Sequence, residues 1–299
     1  MKKLLCMMLV LCFVLASCAT TGNESKTSES ASKNESTSSV SDIVKSEYRI
    51  SESDLYDKVL GSWLGQAAGV VWGAKTEFAY QWKTIPEEGV PDISTLNLND
   101  AYGQDDLYVE IPYMDAMKKY GVDCSLDLVA QEFAKTKFPL DHANKIGRLN
   151  LQKGIKAPES GSYKYNNHCD DIDWQIEADF LGSIYPALVN EGAARAFELG
   201  HITNYGDGVY GGVFVVAMHA AAFYAKNVDE IIDAGISVIP KGTKFREMMD
   251  DVVTWKSEGL TWEENWQKLF DKWEKTKRCH WYAGGSANID AKMNSAYIL

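Results

Sequence analysis

Two adjacent carboxylates follow a glycine in the segment Gly-Gln-Asp-Asp-Leu-Tyr-Val-Glu, which runs from Gly103 to Glu110. An apolar pattern continues from there, so Asp105 and Asp106 are predicted to lie at the start of a helix. Acidic residues stabilise a helix N-terminus by about 0.3–1 kcal/mol each, and this alone would explain the pair. Two hard oxygen ligands side by side also suit a site for Mg²⁺ or a similar cation. The dipeptide by itself leaves both interpretations open.

A second acidic concentration lies in residues 166–177. The run is predicted to be helical, which puts Asp170, Asp173 and Glu177 at positions i, i+3 and i+7 on one helix face. Three like charges there would be relieved by a bound cation. Capping by Asp170 or Asp171 and a solvated acidic face are the alternative explanations.

Soft metal ligands give no recognisable zinc pattern. Three of the six cysteines lie in the first 18 residues, and Cys124, Cys169 and Cys279 remain, without Cys-x-x-Cys spacing. Neither a disulfide framework nor a zinc knuckle is predicted. His168 and Cys169 would suit a softer metal, but the sequence shows no partner pair for them, so zinc is not predicted.

A polar segment precedes a long run without charged residues. The segment consists of Asn204, Tyr205, Gly206, Asp207 and Gly208. The uncharged run, Val209 to Ala225, approaches the length of a membrane span, but its small residues fit a buried central helix better. Asp207 is expected at the N-terminus of that helix, either as an ordinary cap or beside backbone N–H groups that could meet a phosphate or a hydroxyl-rich ligand.

Glycine recurs every four residues in the first predicted helix, Asp54 to Gly73. The glycines are Gly61, Gly65, Gly69 and Gly73. They would form a groove for close approach of another helix or of a ligand, at about 1 kcal/mol of helix propensity each. Glu77 follows in a loop at the end of this face. Loops often carry catalytic carboxylates, although an ordinary solvated glutamate also fits.

Further amphipathic helices account for most of the remaining chain. They are predicted from the Asp105–Asp106 pair to Lys119, over Leu126–Lys137, His142–Gln152, Trp174–Leu188, Val228–Ile239 and Phe245–Ser257, and over Thr261–Lys277. Strand signals are nearly absent. The body is therefore predicted to be all-α, in one multi-helix domain.

The N-terminus has a charged start, a short apolar run and small residues before Cys18. This pattern resembles the bacterial lipoprotein signal, so residues 1–17 are predicted to be a signal peptide and Cys18 the lipidated residue. A plain cleaved signal is the alternative. Residues 18–50 are predicted to be a disordered tether, followed by the folded body, 51–299. We expect an exported protein anchored to a membrane, on the periplasmic or cell-surface side.

The formal net charge of −12 argues against nucleic acid as a partner, because non-specific binding to nucleic acid requires a basic surface.

Several motifs in order resemble the ADP-ribosylglycohydrolase superfamily. They are Gly65 to Glu77, the Asp105–Asp106 pair, the uncharged helix after Tyr205-Gly206-Asp207, and the run Asp170 to Asp179 typical of one subgroup. The resemblance covers roughly Asp54 to Leu299. It implies an orthogonal multi-helix bundle around a two-metal site, usually Mg²⁺ and sometimes Mn²⁺. It also implies hydrolysis of an N- or O-glycosidic bond in an ADP-ribosylated substrate or a related small-molecule glycoside.

The resemblance also implies roles for individual residues. Asp105 and Asp106 match the first pair of metal ligands, and Glu77 and Asp171 are the candidate catalytic residues. The candidate substrate-binding residues are Gln104, Asp170, Asp173, Asn204, Tyr205, Gly206, Asp207 and Gly208.

The sequence departs from the family pattern at three places. Gln104 and Leu107 replace threonines around the Asp pair, and Val70 replaces an aspartate. The late Asp-x-Asp that supplies the second half of the metal site is absent from residues 1–299. Because the sequence stops at Leu299 inside an apolar helical pattern, we expect it to be C-terminally truncated and inactive as given.

The leading functional prediction is thus a metal-dependent glycosidic-bond hydrolase. The alternative is a non-catalytic surface lipoprotein that binds a nucleoside or a sugar with the same fold, which the two missing threonines favour. A purely structural surface protein is a third, weaker interpretation.

Overall fold

The computed structural model describes residues 49–80, 83–274 and 289–299, and within these ranges the chain forms α-helices and short 3₁₀ turns but no β-strand. The all-α prediction is confirmed. The predicted signal peptide, the lipidation site Cys18 and almost all of the predicted tether lie outside the described residues. In chain order the helices are α1 Glu52–Gly73, α2 Asp105–Tyr108, α3 Glu110–Tyr120, α4 Leu126–Ala134, α5 His142–Gln152, α6 Asp173–Glu177, α7 Phe180–Ile184, α8 Val189–Gly200, α9 Asp207–Ala222, α10 Val228–Ser237, α11 Lys244–Ser257, α12 Trp262–Trp273 and α13 Ala291–Ile298.

Helix α9 forms the centre of the fold and packs against α6, α7, α8, α10 and α13. Its glycines allow this close packing. A Cβ on Gly212 would lie 2.2 Å from Cδ1 of Trp174, a side chain that is fully buried on α6. The uncharged run is therefore the buried central helix that the sequence predicted. Among the described residues, no helix is long and apolar enough to cross a membrane.

The prediction of one continuous helix through residues 170–188 is wrong. The chain forms two short helices there, α6 and α7, and Asp170 precedes both. The N–H of Ile172 donates to the carbonyl of Ile289 at 2.8 Å, and the N–H of Ala291 donates to the carbonyl of Asp170 at 3.1 Å. These bonds hold residues 170–172 beside the segment before α13, with one isolated bridge from Asp171 to Asp290. Asp170 therefore does not share a helix face with Asp173 and Glu177.

Other helix boundaries differ by a few residues from the sequence prediction. The helix that begins at Asp105 is divided into α2 and α3 at Val109, and α4, α9 and α10 end earlier than predicted. The last three residues predicted for α12, 275–277, lie outside the described residues. Helix α12 begins with a capping box, since Thr261 accepts from the N–H of Glu264 and the Glu264 carboxylate accepts from the N–H of Thr261.

Helix α1 lies at the surface. Within α1, Val71 alone is buried, and a Cβ on Gly61, Gly65, Gly69 or Gly73 would meet no described atom within 4 Å. Within the described part of the chain, tight helix packing does not account for these glycines. Gly69 and Gly73 instead line the cleft described below.

Candidate functional site

An open cleft of about 1550 Å³ begins at the C-terminal end of α1 and extends along α2, α5, α6 and α13. Its volume exceeds the roughly 300–1,000 Å³ that is usual for small-molecule pockets. Five of the predicted site residues line it, namely Glu77, Gln104, Asp105, Asp106 and Asp173. The loop after α1 contributes Glu77, and the first turn of α2, with Gln104 as its N-cap residue, contributes the aspartate pair.

The pKa values of two carboxyl groups at this end of the cleft, Asp106 and Glu77, are raised. Burial raises the pKa of Asp106 to about 7, and the neighbouring charges of Asp105, Asp179 and Glu77 add to the rise. Partial burial raises the pKa of Glu77 as well, with a further contribution from Asp105. Neither Glu77, Asp105 nor Asp106 forms an ion pair with Lys or Arg among the described residues. Within the described ranges, the cluster is thus negative charge without a Lys or Arg beside it.

A second row of polar groups lies beside Asp106. The Gln66 amide on α1 donates to Glu110 Oε1 at 2.5 Å, to Asp179 Oδ1 at 3.1 Å and to the Asp106 carbonyl at 3.4 Å. Burial and the adjacent Asp179 raise the pKa of Glu110 well above its ordinary range. Sequence reasoning missed Gln66, Glu110 and Asp179. The signal for Glu110 was its position four residues after Asp106, on the same helical side.

The wall formed by α6 contains two buried carboxyls held by α5. The Asn144 N–H donates to Asp173 Oδ1 at 3.0 Å, and the Asn144 amide donates to the Glu177 carboxylate. Burial raises the pKa of Asp173 to about 7, with a further rise from Asp171, and burial raises the pKa of Glu177 far above its ordinary range. Asp173 Oδ2 and Glu177 Oε2 have no hydrogen-bond partner among the described residues.

Asp171 is fully buried and is not among the cleft-lining residues. Its Oδ2 lies 2.7 Å from Nδ1 of His168 and 3.3 Å from Nδ1 of His142, the first residue of α5. The hydrogen bond to Asp171 raises the pKa of His142, which does line the cleft. Asp171 therefore holds His142 in position. No local pattern predicts this contact, since residues 142 and 171 belong to different elements.

The segment from Asn204 to Gly208 does not line the cleft. The Asn204 amide donates to the carbonyls of Cys169 at 3.2 Å and Asp171 at 2.9 Å, and the N–H of Tyr205 also donates to Cys169. Asp170 accepts from the N–H of Asp207 at 3.2 Å. These contacts fix the loop before α6, so the segment supports the wall of the site. A direct role for Asp170 and residues 204–208 in binding substrate stays a prediction.

The residues around Asp105 and Asp106 fit a hard divalent cation. The donors are carboxylate oxygens, the ligand type preferred by Mg²⁺ and Mn²⁺. Asp106 is partly buried, and its raised pKa indicates that its charge lacks a favourable partner there. A cation at this place would relieve the repulsion between neighbouring carboxylates.

Comparisons with known proteins identify one family. No match was found among curated proteins or among solved structures. A family model described as ADP-ribosylglycohydrolase matches residues 51–291, which include helices α1 to α12 and the first residue of α13. Since the match extends over most of the sequence, the chain belongs to the ADP-ribosylglycohydrolase family.

Proposed function

We propose that the chain binds a divalent cation, Mg²⁺ or Mn²⁺, through Asp105 and Asp106, and that the protein hydrolyses an N- or O-glycosidic bond at the ribose of an ADP-ribosylated or similar glycoside. The observation that carries the proposal is a group of carboxyls, Glu77, Asp105 and Asp106, at one end of a large cleft, with no Lys or Arg ion pair among the residues that the structure describes. The family supplies the reaction class, a glycohydrolase.

The cleft residues suit a reaction that passes through a positively charged sugar. An oxocarbenium-like state is stabilised by nearby carboxylates, and a carboxylate that accepts a proton from water activates it for attack. Glu77 has this role in the proposal, because it lines the cleft and its raised pKa favours proton uptake. When bound, the cation would orient the ribose hydroxyls and the water. Asp173 would accept hydrogen bonds from the ribose hydroxyls, and the Gln104 amide would donate hydrogen bonds to them.

Asp171 acts indirectly in this proposal. Because it is buried behind His142, it serves as a positioning residue rather than a catalytic residue. On the rim, Lys83 and Lys256 line the cleft and would attract the diphosphate of an ADP-ribose group.

A binding protein without catalysis is the second candidate function. Gln104 and Leu107 occupy positions where the family pattern has threonines, which removes two hydroxyl donors beside the aspartate pair. Such a protein would capture a nucleoside or a sugar in the same cleft.

Calorimetry with ADP-ribose in the presence of Mg²⁺, combined with chromatography of the products, separates the two functions. Release of a leaving group from an ADP-ribosylated peptide or a ribosyl glycoside supports the hydrolase. Tight, metal-dependent binding without turnover supports the binding protein, and neither binding nor turnover contradicts both.

We further propose that Cys18 carries the lipid and that the body acts outside the cytosol. The composition of residues 1–50 supports this location. The substrate would then be a glycoside met at the cell surface or in the periplasm.

A further inference from the structure

We propose that His142, His168 and Asp171 form a second metal site, for a first-row transition metal such as Zn²⁺, separate from the carboxylate pair that would hold Mg²⁺. Nδ1 of each histidine points at the same carboxylate oxygen, Asp171 Oδ2. One ligand atom from each of the three residues lies within 4.8 Å of the others. The proposal does not depend on the hydrolase activity.

The spacing is close to that of a coordination shell. Ligands about 2.0–2.2 Å from a tetrahedral ion are roughly 3.4 Å from one another. The distance from His142 to Asp171 is 3.3 Å, and that from His168 to Asp171 is 2.7 Å. The second contact must open by less than about 1 Å to admit an ion, which a side-chain rotation supplies.

The three ligands are held by other parts of the chain. The carbonyl of Asp171 accepts from the Asn204 amide at 2.9 Å, and the N–H of His168 donates to Asn166 Oδ1 at 2.9 Å. Asn166 is itself fully buried, and its amide donates to the carbonyl of Ala143, next to His142. One buried asparagine thus fixes the chain near both histidines. Supporting contacts of this kind orient metal ligands.

The local charge also favours a cation. Asp171 is fully buried, and the nearby Asp173 is 5% exposed with Oδ2 lacking a hydrogen-bond partner among the described residues. Among the described residues, Asp171 lies beside two imidazoles, His142 and His168, which carry charge only when protonated. A divalent ion would add positive charge beside these buried carboxylates.

Two nitrogen ligands and one carboxylate oxygen select against Mg²⁺. Imidazole suits Zn²⁺, Fe²⁺ and related ions, whereas Mg²⁺ prefers oxygen ligands and retains its waters. Three protein ligands also leave coordination positions for water or a ligand, as in catalytic zinc sites. Because His142 is a cleft-lining residue, the ion would adjoin the cleft.

Metal retention tests the proposal. The full chain is stripped with EDTA, dialysed against Zn²⁺ with excess Mg²⁺, and its metal content is measured by mass spectrometry. We expect one Zn²⁺ per chain, and affinity weaker by at least about tenfold in His142→Ala and His168→Ala. The matched control His201→Ala should retain the ion. Asp105→Asn should also retain it, which separates this site from the proposed function.

Spectroscopy decides the case in which the histidine variants fail to fold. With Cu²⁺ as the probe, the paramagnetic resonance spectrum of the wild-type chain should show coupling to two nitrogens. Absence of that coupling overturns the proposal. So does a wild-type chain that retains no Zn²⁺, or a folded His168→Ala variant that retains as much Zn²⁺ as His201→Ala.

Discussion

The surroundings of Asp106 disfavour the charged form of its carboxyl group. With a pKa of about 7, it is partly protonated at neutral pH in the absence of a cation. A cation that uses this oxygen must displace the proton, so protons and Mg²⁺ compete for the site.

Mg²⁺ affinity should therefore fall as the pH is lowered. Below about pH 7, the loss should approach tenfold per pH unit, which is the limit for displacement of one proton. Calorimetric titrations at about pH 6 and about pH 8 measure the difference. Equal affinities at the two pH values would show that Asp106 is not a ligand.

Glu177 offers a separate test, because it is fully buried and lies in α6. Its folded pKa exceeds its unfolded value, so as the pH rises from about 4.3 the unfolded chain ionises first and stability is lost until the folded pKa is reached. Glu177→Gln removes this loss and still accepts the bond from Asn144. We expect the free energy of unfolding of the variant to exceed that of wild type by about 1–3 kcal/mol at pH 8, with little difference at low pH.

Urea unfolding at the two pH values measures this effect. Glu88→Gln, at an exposed position in the 3₁₀ turn Glu87–Gly89, is the matched control and should change little. A Glu177→Gln variant less stable than wild type at pH 8 would show that the charged form is stabilised in the fold.

Site residues that belong to a short sequence motif could be predicted from the sequence. Site residues that meet partners distant in the chain could not. Asp105, Asp106 and Glu77 were found as motifs, and all three line the cleft. His142 and Gln66 were not, because each meets its partner at least 29 residues away along the chain, as Gln66 does with Glu110 and His142 with Asp171. Gln66 lies in the glycine-rich motif and His142 begins a predicted helix, but neither pattern indicates the distant partner.

Helices α9 and α1 contain glycines for opposite reasons. The glycines of α9 face buried side chains, whereas those of α1 face open space among the described residues. Gly212→Ala should therefore clash with Trp174 and destabilise the fold by about 1–3 kcal/mol or more. Gly61→Ala, away from the cleft, should stabilise α1 by roughly 0.5–1 kcal/mol through helix propensity.

Denaturant unfolding measures the change in the free energy of unfolding for both variants, an expected decrease for Gly212→Ala and an expected increase for Gly61→Ala. Loss of stability in Gly61→Ala would mean that another part of the protein packs against the glycine face of α1. An unchanged Gly212→Ala would contradict the close contact of α6 with α9.

The presence of most helices was predictable from the apolar periodicity of the sequence. The places where a helix is interrupted were not predictable in this way. The non-helical backbone at residues 170–172 accompanies hydrogen bonds to residues 289 and 291, more than a hundred residues later. Local propensity contains no signal for such a contact. The i, i+3, i+7 prediction for Asp170, Asp173 and Glu177 failed for that reason.

The whole molecule combines an acidic body with an N-terminus that resembles a lipoprotein signal. If Cys18 is lipidated in a bacterial host, the protein should partition into the detergent phase of a phase-separating detergent, and Cys18→Ala should move it to the aqueous phase. Cys279→Ala is the control and should remain in the detergent phase. Partition of the wild-type protein into the aqueous phase would contradict lipidation of Cys18.

All-α architecture and family membership were predictable at this scale, because several motifs occur in a fixed order. The family match over residues 51–291 confirms both. The shape of the cleft was not predictable, since it depends on how α1, α2, α5 and α6 meet.

Thermal unfolding with and without Mg²⁺ shows directly whether Asp105 and Asp106 bind a divalent cation. A ligand that binds only the folded state stabilises it by about 2.7 kcal/mol at a hundredfold excess over Kd. Asp105→Asn should abolish the rise in Tm, and the control Asp115→Asn, at an exposed position on α3, should keep it. A Tm that Mg²⁺ and Mn²⁺ leave unchanged in the wild-type chain, or that rises equally in Asp105→Asn, would contradict the account.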